Sequence, residues 1–245
     1  MCRGTIRVRM TGSDSSQATG SIETIVNRLR EASPRSRRSF LRRSAAAGAG
    51  ALALSVAGSN AALAREASGD DTSDVGVLNY ALTLEHLENA FYRQGRERFD
   101  ETDFMTAESL RGFGDRVRDD VRQNFVDIGA HEKTHVETLT SVVEKLGGEP
   151  VEEACYEFGI DGVDEFIAVA AVLENTGVSA YDGAIHLIDR EELLTAGATI
   201  ATIEARHASY LNLLTGTDPF PSAFDDPKSR QAIIDAAGGF LGECE

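Results

Sequence analysis

The sequence has no tryptophan, and its 245 residues include only five prolines and three cysteines. The scarcity of proline and tryptophan favours a helical domain over a sandwich of strands. No stretch alternates apolar and polar residues for long enough to predict a strand. A chain of this length can bury one sizeable core. We therefore expect an all-α fold with one main domain.

Cysteine is too scarce to form a disulfide framework. Cys2 lies near the N-terminus, which leaves Cys155 and Cys244 in the body of the chain. Their separation is not that of a metal site, but in an oxidising compartment the two could pair. Whether they pair stays open at this point.

Basic residues are also scarce in most of the chain. The lysines are Lys133, Lys145 and Lys228 only. Ten arginines and three acids fall within residues 1–64, so residues 65–245 hold 14 basic and 37 acidic residues, a formal charge of −23. Such a surface repels nucleic acids and anionic membranes, and we expect no nucleic-acid partner. It resembles the surfaces of proteins from salt-loving organisms, on which dense carboxylates hold water and cations.

The basic segment near the N-terminus has the order of an export signal. Residues 36–43, SRRSFLRR, precede a small-residue apolar run that ends in ALA at residues 62–64. A charged region, an apolar region and a cleavage site follow one another in this way in secretory signals. Residues 37–41, RRSFL, resemble the twin-arginine signal of proteins that are exported already folded. The alternative is a basic tail with a hydrophobic anchor.

This order divides the chain into three parts. We expect residues 1–35 to be disordered, residues 36–64 to be the twin-arginine signal, and residues 65–245 to form the exported domain. The apolar run is roughly 20 residues long and rich in Ala, Gly and Ser, which makes it marginal as a permanent span. We therefore expect no stable membrane anchor once the signal is removed.

Four stretches have the spacing of long amphipathic helices. The pair Gly147-Gly148 is a signal for the end of the second helix, and Asp189 with Glu192 has the pattern of a capping box before the fourth. Residues 99–115 are predicted to form a loop or a short helix that starts near Thr106, and one short final helix is predicted in the C-terminal segment PKSRQAIIDAAGG. The pattern predicts a four-helix bundle plus a short C-terminal helix, with the long second connection crossing the bundle. The long helices are predicted at about residues 74–98, 116–146, 163–188 and 190–215.

Two of these helices carry the motif Glu-x-x-His on faces that should be apolar. Glu132 and His135 lie on the inward face of the second helix, and Glu204 and His207 lie on that of the fourth. One such motif arises easily by chance in a chain rich in glutamate. Two such motifs on buried faces need partners that offset the charge of their glutamates, because a buried carboxylate without a partner costs several kcal/mol.

The first and third helices each place a glutamate on the apolar face with a tyrosine two turns later. The pairs are Glu85 with Tyr92 and Glu174 with Tyr181. This parallel selects Glu85 over Glu88 as the counterpart of Glu174. Glu88 is then either a further ligand or part of a polar helix edge. The chain is thus a repeat of a Glu helix followed by a Glu-x-x-His helix.

Four carboxylates and two imidazoles that converge in a bundle core match a two-metal site, since four negative charges offset two divalent ions. The stretches LNYALTLEHLENAFY, LENTGVSAYDGA, IEARHASYLNLL and DPFPSAFDDP resemble the ferritin-like superfamily, and within it the exported family that includes plant desiccation-related proteins. The resemblance covers about residues 74–240. It implies a ferritin-like four-helix bundle.

The same resemblance implies roles for individual residues. The ligands that it implies are Glu85, Glu132 and His135 for one metal, and Glu174, Glu204 and His207 for the other. Glu132 and Glu204 would bridge the two ions. Tyr92 and Tyr181 would hydrogen-bond the ligands or quench radicals beside them, or would serve as plain core aromatics. The remaining histidines lie off the ligand faces and are expected at the surface; they are His86, His131 and His186.

The implied cofactor is a pair of iron ions, with a pair of manganese ions as the alternative. Mixed Glu and His ligation leaves positions open at which O2 or peroxide can bind. The sequence leaves three functions: an exported di-iron protein that reacts with O2 or peroxide, a di-manganese catalase-like enzyme, and a metal-stapled protein whose acidic surface protects against desiccation stress. It does not indicate an oligomeric state.

Overall fold

The computed structural model describes residues 71–242, and the predicted disordered and signal segments lie outside these residues. Among the described residues the chain forms α-helices and 3-10 turns without a strand, apart from one isolated bridge between Tyr156 and Leu241. The predicted all-α class is confirmed. The helices are α1 (Asp74–Arg98), α2 (Glu101–Thr106), α3 (Asp115–Lys145), α4 (Val163–Ala184), α5 (Glu191–Leu214) and α6 (Arg230–Ala237).

The four long helices form the predicted bundle, and α6 is the short C-terminal helix. Helix α1 packs on α3, α4 packs on α5, and contacts between α1 and α4 join the two pairs. Helix α6 packs on α4. The connection from residue 146 to residue 162 returns the chain from the end of α3 to the start of α4 at the opposite end of the bundle, which is the crossing that the loop lengths predict.

Both Glu-x-x-His helices end in the same glycine motif. Gly147 and Gly216 have φ of 81° and 72°, a left-handed conformation that residues with a Cβ adopt only at a cost. After α3, the N–H of Gly148 donates to the Val143 carbonyl over 3.0 Å, and after α5 the N–H of Thr217 donates to the Asn212 carbonyl over 2.8 Å. These bonds satisfy carbonyls that the helix end would leave unpaired.

Three local predictions are wrong in detail. Helix α2 begins at Glu101 rather than near Thr106, because Asp100 and Asp103 form a capping box there. Helix α4 ends at Ala184 and continues only as a 3-10 turn to Leu187. The capping box predicted from Asp189 and Glu192 is absent: Arg190 is the N-cap without a side-chain bond, and the Asp189 N–H donates to the Asp74 carboxylate over 2.8 Å.

Two apolar regions fill the bundle, one at each end. The aromatic core takes in α2, the adjoining ends of the long helices and α6, and on the side of α1 and α4 it extends along the bundle to Tyr80 and Ala180. Its rings make close contacts, for example 5.1 Å between the centroids of Phe125 and Phe166. The aliphatic core lies at the other end and includes Leu78, Leu139, Tyr181, Leu193 and Ile200. Each long helix carries its inward glutamate between a residue of one core and a residue of the other.

Cys155 is disulfide-bonded. Its backbone carbonyl also accepts a 2.8 Å hydrogen bond from the N–H of Gly242. Cys244, the partner considered from the sequence, lies outside the described residues.

Candidate metal centre

A layer of acidic and imidazole side chains lies in the middle of the bundle, with most of the aromatic core on one side and the aliphatic core on the other. Glu85, Glu132, Glu174 and Glu204 have no exposed surface, and the exposed fractions of His135 and His207 are 9% and 5%. Each long helix contributes one of the four carboxylates because its glutamate lies on the same stripe as the core residues one and two turns away. Burial of four carboxylates is costly unless cations or protons offset their charge.

The six side chains that the sequence singles out converge on one place in two overlapping sets. The first group consists of Glu85, Glu132, His135 and Glu204. The second group consists of Glu132, Glu174, Glu204 and His207. Within each group, one nitrogen or oxygen atom from every residue lies within 4.8 Å of the others. Glu132 and Glu204 belong to both groups, which is where bridging carboxylates would lie.

The Nδ1 atom of each histidine points into the carboxylates. His135 Nδ1 lies 3.1 Å from Glu85 Oε2, 3.2 Å from Glu132 Oε2 and 3.2 Å from Glu204 Oε1. His207 Nδ1 lies 3.1 Å from Glu132 Oε1 and 3.1 Å from Glu174 Oε2. One N–H cannot serve two or three carboxylates at once. Glu132 Oε1 and Glu204 Oε1 each lie close to one of these Nδ1 atoms without forming a well-aligned hydrogen bond, and Glu204 Oε2 is also buried without one.

Two tyrosines bind the outermost carboxylates across the bundle. Tyr92 of α1 donates to Glu174 Oε1 of α4 over 2.6 Å, and Tyr181 of α4 donates to Glu85 Oε1 of α1 over 2.5 Å. Each tyrosine thus contacts the glutamate of the opposite helix rather than its own. Tyr92 is a member of the aromatic core and Tyr181 of the aliphatic core. Each bond fixes one oxygen and leaves the other facing the cluster.

Glu88 is buried beside the cluster, which excludes the interpretation of a polar helix edge. Its exposed fraction is 3%. In the repeat, Glu88 corresponds to Gly177, which follows Glu174 by three residues. A Cβ atom at Gly177 would lie 3.0 Å from Glu88 Oε1 and 3.4 Å from Glu204 Oε2. The missing side chain on α4 therefore makes room for the additional carboxylate from α1.

Burial and mutual repulsion move the pKa values of the cluster in both directions. Burial raises the pKa of Glu85 to about 7, and burial with the charge of Glu132 raises the pKa of Glu204 well above its usual range. Although burial opposes it, the neighbouring imidazoles of His135 and His207 lower the pKa of Glu132 to about 2. Hydrogen bonds to the surrounding carboxylates likewise overcome burial and raise the pKa of His135 to about 12 and of His207 to about 9. In the absence of metal, protons offset part of the excess negative charge.

The other three histidines differ from one another. His186 is exposed as expected. His86 is not a surface residue: it is 9% exposed, and its Nε2 lies 3.1 Å from the Val151 carbonyl oxygen, because residues after α3 fold over α1. His131 is exposed, but its ring stacks on that of His207 with an interplanar angle of 7°, and its Nδ1 lies 3.0 Å from His207 Nε2.

The sequence did not predict the contact of His131 with His207. The only signal was its position directly before Glu132 in HEKTH. The equivalent position in the fourth helix, directly before Glu204, is Ile203. The repeat therefore gives a histidine partner to His207 and no matching histidine to His135.

Comparison with known protein families finds a match for the bundle. The family model described as a ferritin-like domain matches residues 73–217, more than half of the chain, and this range includes all six converging side chains. No curated protein matches the chain. Among residues 71–242, no helix is long and apolar enough to cross a membrane.

Proposed function

Because the chain belongs to the family of the ferritin-like domain, we propose that its buried cluster binds two divalent metal ions, and that these are iron. One ion would bind Glu85, His135 and the two shared carboxylates, and the other would bind Glu174, His207 and the same shared pair. Glu132 and Glu204 would bridge the two ions. This proposal uses every member of the first and second groups.

The observation that carries the proposal is the set of unpartnered oxygens at the centre of the cluster. Three buried carboxylate oxygens of the bridging pair, Glu132 Oε1 with Glu204 Oε1 and Oε2, have no well-aligned hydrogen bond, although a histidine Nδ1 lies near both Oε1 atoms. An unpaired buried charge is among the most costly features that a core can contain. Two divalent cations would satisfy these oxygens and balance the four carboxylates, with neutral imidazole nitrogens completing the set.

A pair of ferrous ions in this site would supply one electron each to O2. With two protons the O2 would become hydrogen peroxide, and both ions would become ferric. The chain's own part is to bind, orient and exclude water. Tyr92 and Tyr181 hold the outer oxygens of Glu174 and Glu85. The two cores keep bulk water away from the layer between them. Glu88 supplies a further carboxylate next to Glu204.

His131 acts as a positioning residue for His207 in this proposal. To bind a metal through Nδ1, His207 must carry its proton on Nε2, and that N–H points at His131 Nδ1 over 3.0 Å. A hydrogen bond to the second ring nitrogen fixes the tautomer and the orientation of a histidine ligand.

Two further parts of the proposal rest on sequence. The RRSFL stretch at residues 37–41 favours export by the twin-arginine route, which would allow a metal to be loaded before export. The acidic surface favours a second candidate function, in which the metals only stabilise the bundle and the carboxylates provide hydration under desiccation stress. In that case metal is bound and no redox reaction follows.

Metal content and reactivity test the proposal directly. Wild-type protein should hold about two metal ions per chain, while Glu132→Ala and His207→Ala should each lose most of them. Glu137→Ala is the matched control, because Glu137 lies on the same helix and its side chain is 66% exposed. Ferrous protein exposed to O2 and, separately, to peroxide distinguishes an oxidase from a catalase-like enzyme. A metal-loaded protein that is inert to both would support the hydration function, and a metal-free wild type would contradict the whole proposal.

A further inference from the structure

A cavity of about 50 Å³ lies in the aliphatic core, next to one of the two metal positions. Its wall includes Ala81, Leu139 and Ile200. Each of these residues is one helical turn from a member of the first group: Ala81 from Glu85, Leu139 from His135, and Ile200 from Glu204. Tyr181, which hydrogen-bonds Glu85, also lines the cavity. The cavity therefore adjoins the first group on the side away from the aromatic core.

The wall of the cavity is almost entirely apolar. Aliphatic side chains from α1, α3, α4 and α5 form it, and the hydroxyl-bearing residues among them are Tyr80, Thr138 and Tyr181. A cavity of this size has space for water, but an apolar site gives water too few hydrogen-bond partners to hold it. Apolar cavities of about 150 Å³ bind benzene and xenon. The smaller volume here suits a diatomic molecule or a noble-gas atom.

The cavity reaches the surface between the two Glu-x-x-His helices. Among its lining residues, Thr138 of α3 and Ala196 of α5 are exposed, and Gly197 of α5 is half-buried. Small side chains at Ala196 and Gly197 leave this seam open. A Cβ atom at Gly197 would lie 3.8 Å from Ile185 Cδ1, an ordinary contact, so a larger side chain can be accommodated there at the expense of the open space.

We propose that this cavity binds dioxygen and leads it from the seam between α3 and α5 to the first group. The inference rests on the proposed function and adds to it a choice of oxidant. Dioxygen is apolar and enters such a site without losing hydrogen bonds. Hydrogen peroxide has two O–H donors, and their transfer into an apolar cavity without partners is unfavourable. The cavity thus favours O2 over peroxide.

Xenon binding to the metal-free protein tests the cavity itself. Under xenon pressure, methyl NMR signals of Leu78, Leu193 and Ile200 should shift in wild-type protein, because all three line the cavity. The variant Gly197→Leu should lose these shifts. It should also fold, because leucine favours a helix more than glycine does. Ala198→Leu is the matched control, since Ala198 is exposed on the same helix and does not line the cavity, and it should keep the shifts.

Oxidation of the iron-loaded protein tests the choice of oxidant. With limiting O2, the rate in Gly197→Leu should fall by roughly threefold relative to Ala198→Leu, because the smaller pocket of about 30 Å³ beside Glu88 and Gly177 remains as another approach. With peroxide as oxidant, the two variants should differ much less.

Two outcomes would overturn the inference: no xenon shift in wild-type protein, or equal slowing of Gly197→Leu with both oxidants. The two proposals fail separately. A chain that takes up no iron contradicts the proposed function, whereas the xenon measurement needs no metal and decides on the cavity alone.

Discussion

The two metal positions proposed here face opposite ends of the bundle, and the ends are built differently. The second group lies towards the aromatic core: Tyr92 holds Glu174, and His131 contacts His207. The first group lies towards the aliphatic core: Tyr181 holds Glu85, and a cavity begins one turn away. Internal repetition supplies the same Glu and His side chains twice, while a second histidine adjoins one group and a cavity adjoins the other.

Packing shows the same difference. In the aromatic core, Phe125 and Phe166 are 0% exposed. In the aliphatic core, Leu78, Leu193 and Ile200 retain exposed fractions of 8% to 9%, and all three line the cavity. The rings of Tyr92, Phe125 and Phe166 pack together on the side of the second group, whereas aliphatic and small residues leave a cavity next to the first group. Farther from the two groups the aromatic end also has open space, since Phe91 and Phe99 line a pocket of about 310 Å³.

The largest expected effect is a difference in stability between the two cores. Phe166→Ala should lower the free energy of unfolding by about 3–5 kcal/mol, because the surrounding rings cannot close the space. Leu193→Ala should cost about 2 kcal/mol, the lower end for its type, because part of its surface already faces a cavity. Urea unfolding of the metal-free variants measures both values. Equal losses would contradict the contrast in packing.

The pH dependence of stability tests the charged layer between the cores. A group whose pKa is raised by folding stabilises the fold below its ordinary pKa and loses that contribution as the pH rises through the folded value. For Glu85 this range runs from 4.5 to about 7, and for His207 from 6.5 to about 9. The free energy of unfolding of the metal-free protein should therefore fall from about pH 5 to about pH 9.

Metal should reverse this dependence, because the ligands must lose their protons to bind it. The stabilisation that Mn²⁺ adds over the same pH range should grow with pH. Urea unfolding with a chelator and with Mn²⁺ at several pH values measures the difference. A metal-free protein that becomes more stable towards pH 9 would show that protons do not offset the charge of the cluster.

Replacement of His131 tests whether its contact with His207 makes the two metal positions differ in affinity. His131→Ala should weaken binding of one of the two ions by about 10- to 100-fold, the usual effect of losing such a partner, and leave the other unchanged. His131→Gln should restore part of the affinity, because its amide oxygen can accept from His207 Nε2. His186→Ala is the control, since His186 is exposed outside the cluster. Titration calorimetry with Mn²⁺ separates the two events. Equal weakening of both would argue against a specific role.

The smallest expected effect distinguishes two helical glycines. Gly197→Ala should stabilise the metal-free protein by about 0.5–1 kcal/mol through helix propensity, because its Cβ meets only an ordinary contact. Gly177→Ala should gain less and should weaken metal binding, since Glu88 would have to move beside Glu204. Thermal unfolding with and without Mn²⁺ measures both. Identical behaviour would mean that Glu88 does not need the space at Gly177.

Periodicity was sufficient to predict the bundle and the convergence of the six side chains. The bounds of α1 and the glycine end of α3 agree with the structure, since long periodic segments and positive-φ glycines depend on local sequence. The capping box predicted at Asp189 does not form, because the backbone N–H of Asp189 donates to the Asp74 carboxylate instead. The contact of His131 with His207 depends on the approach of α3 to α5, which no local pattern encodes. The cavity likewise results from side chains on four separate helices.

Anomalous diffraction from crystals of the iron-loaded protein, collected at the iron edge, tests the central claim most directly. Two peaks should lie inside the bundle, one contacted by Glu85 and His135 and the other by Glu174 and His207, with Glu132 and Glu204 between them. A single internal peak, or iron bound only at surface carboxylates, would contradict the two-metal centre.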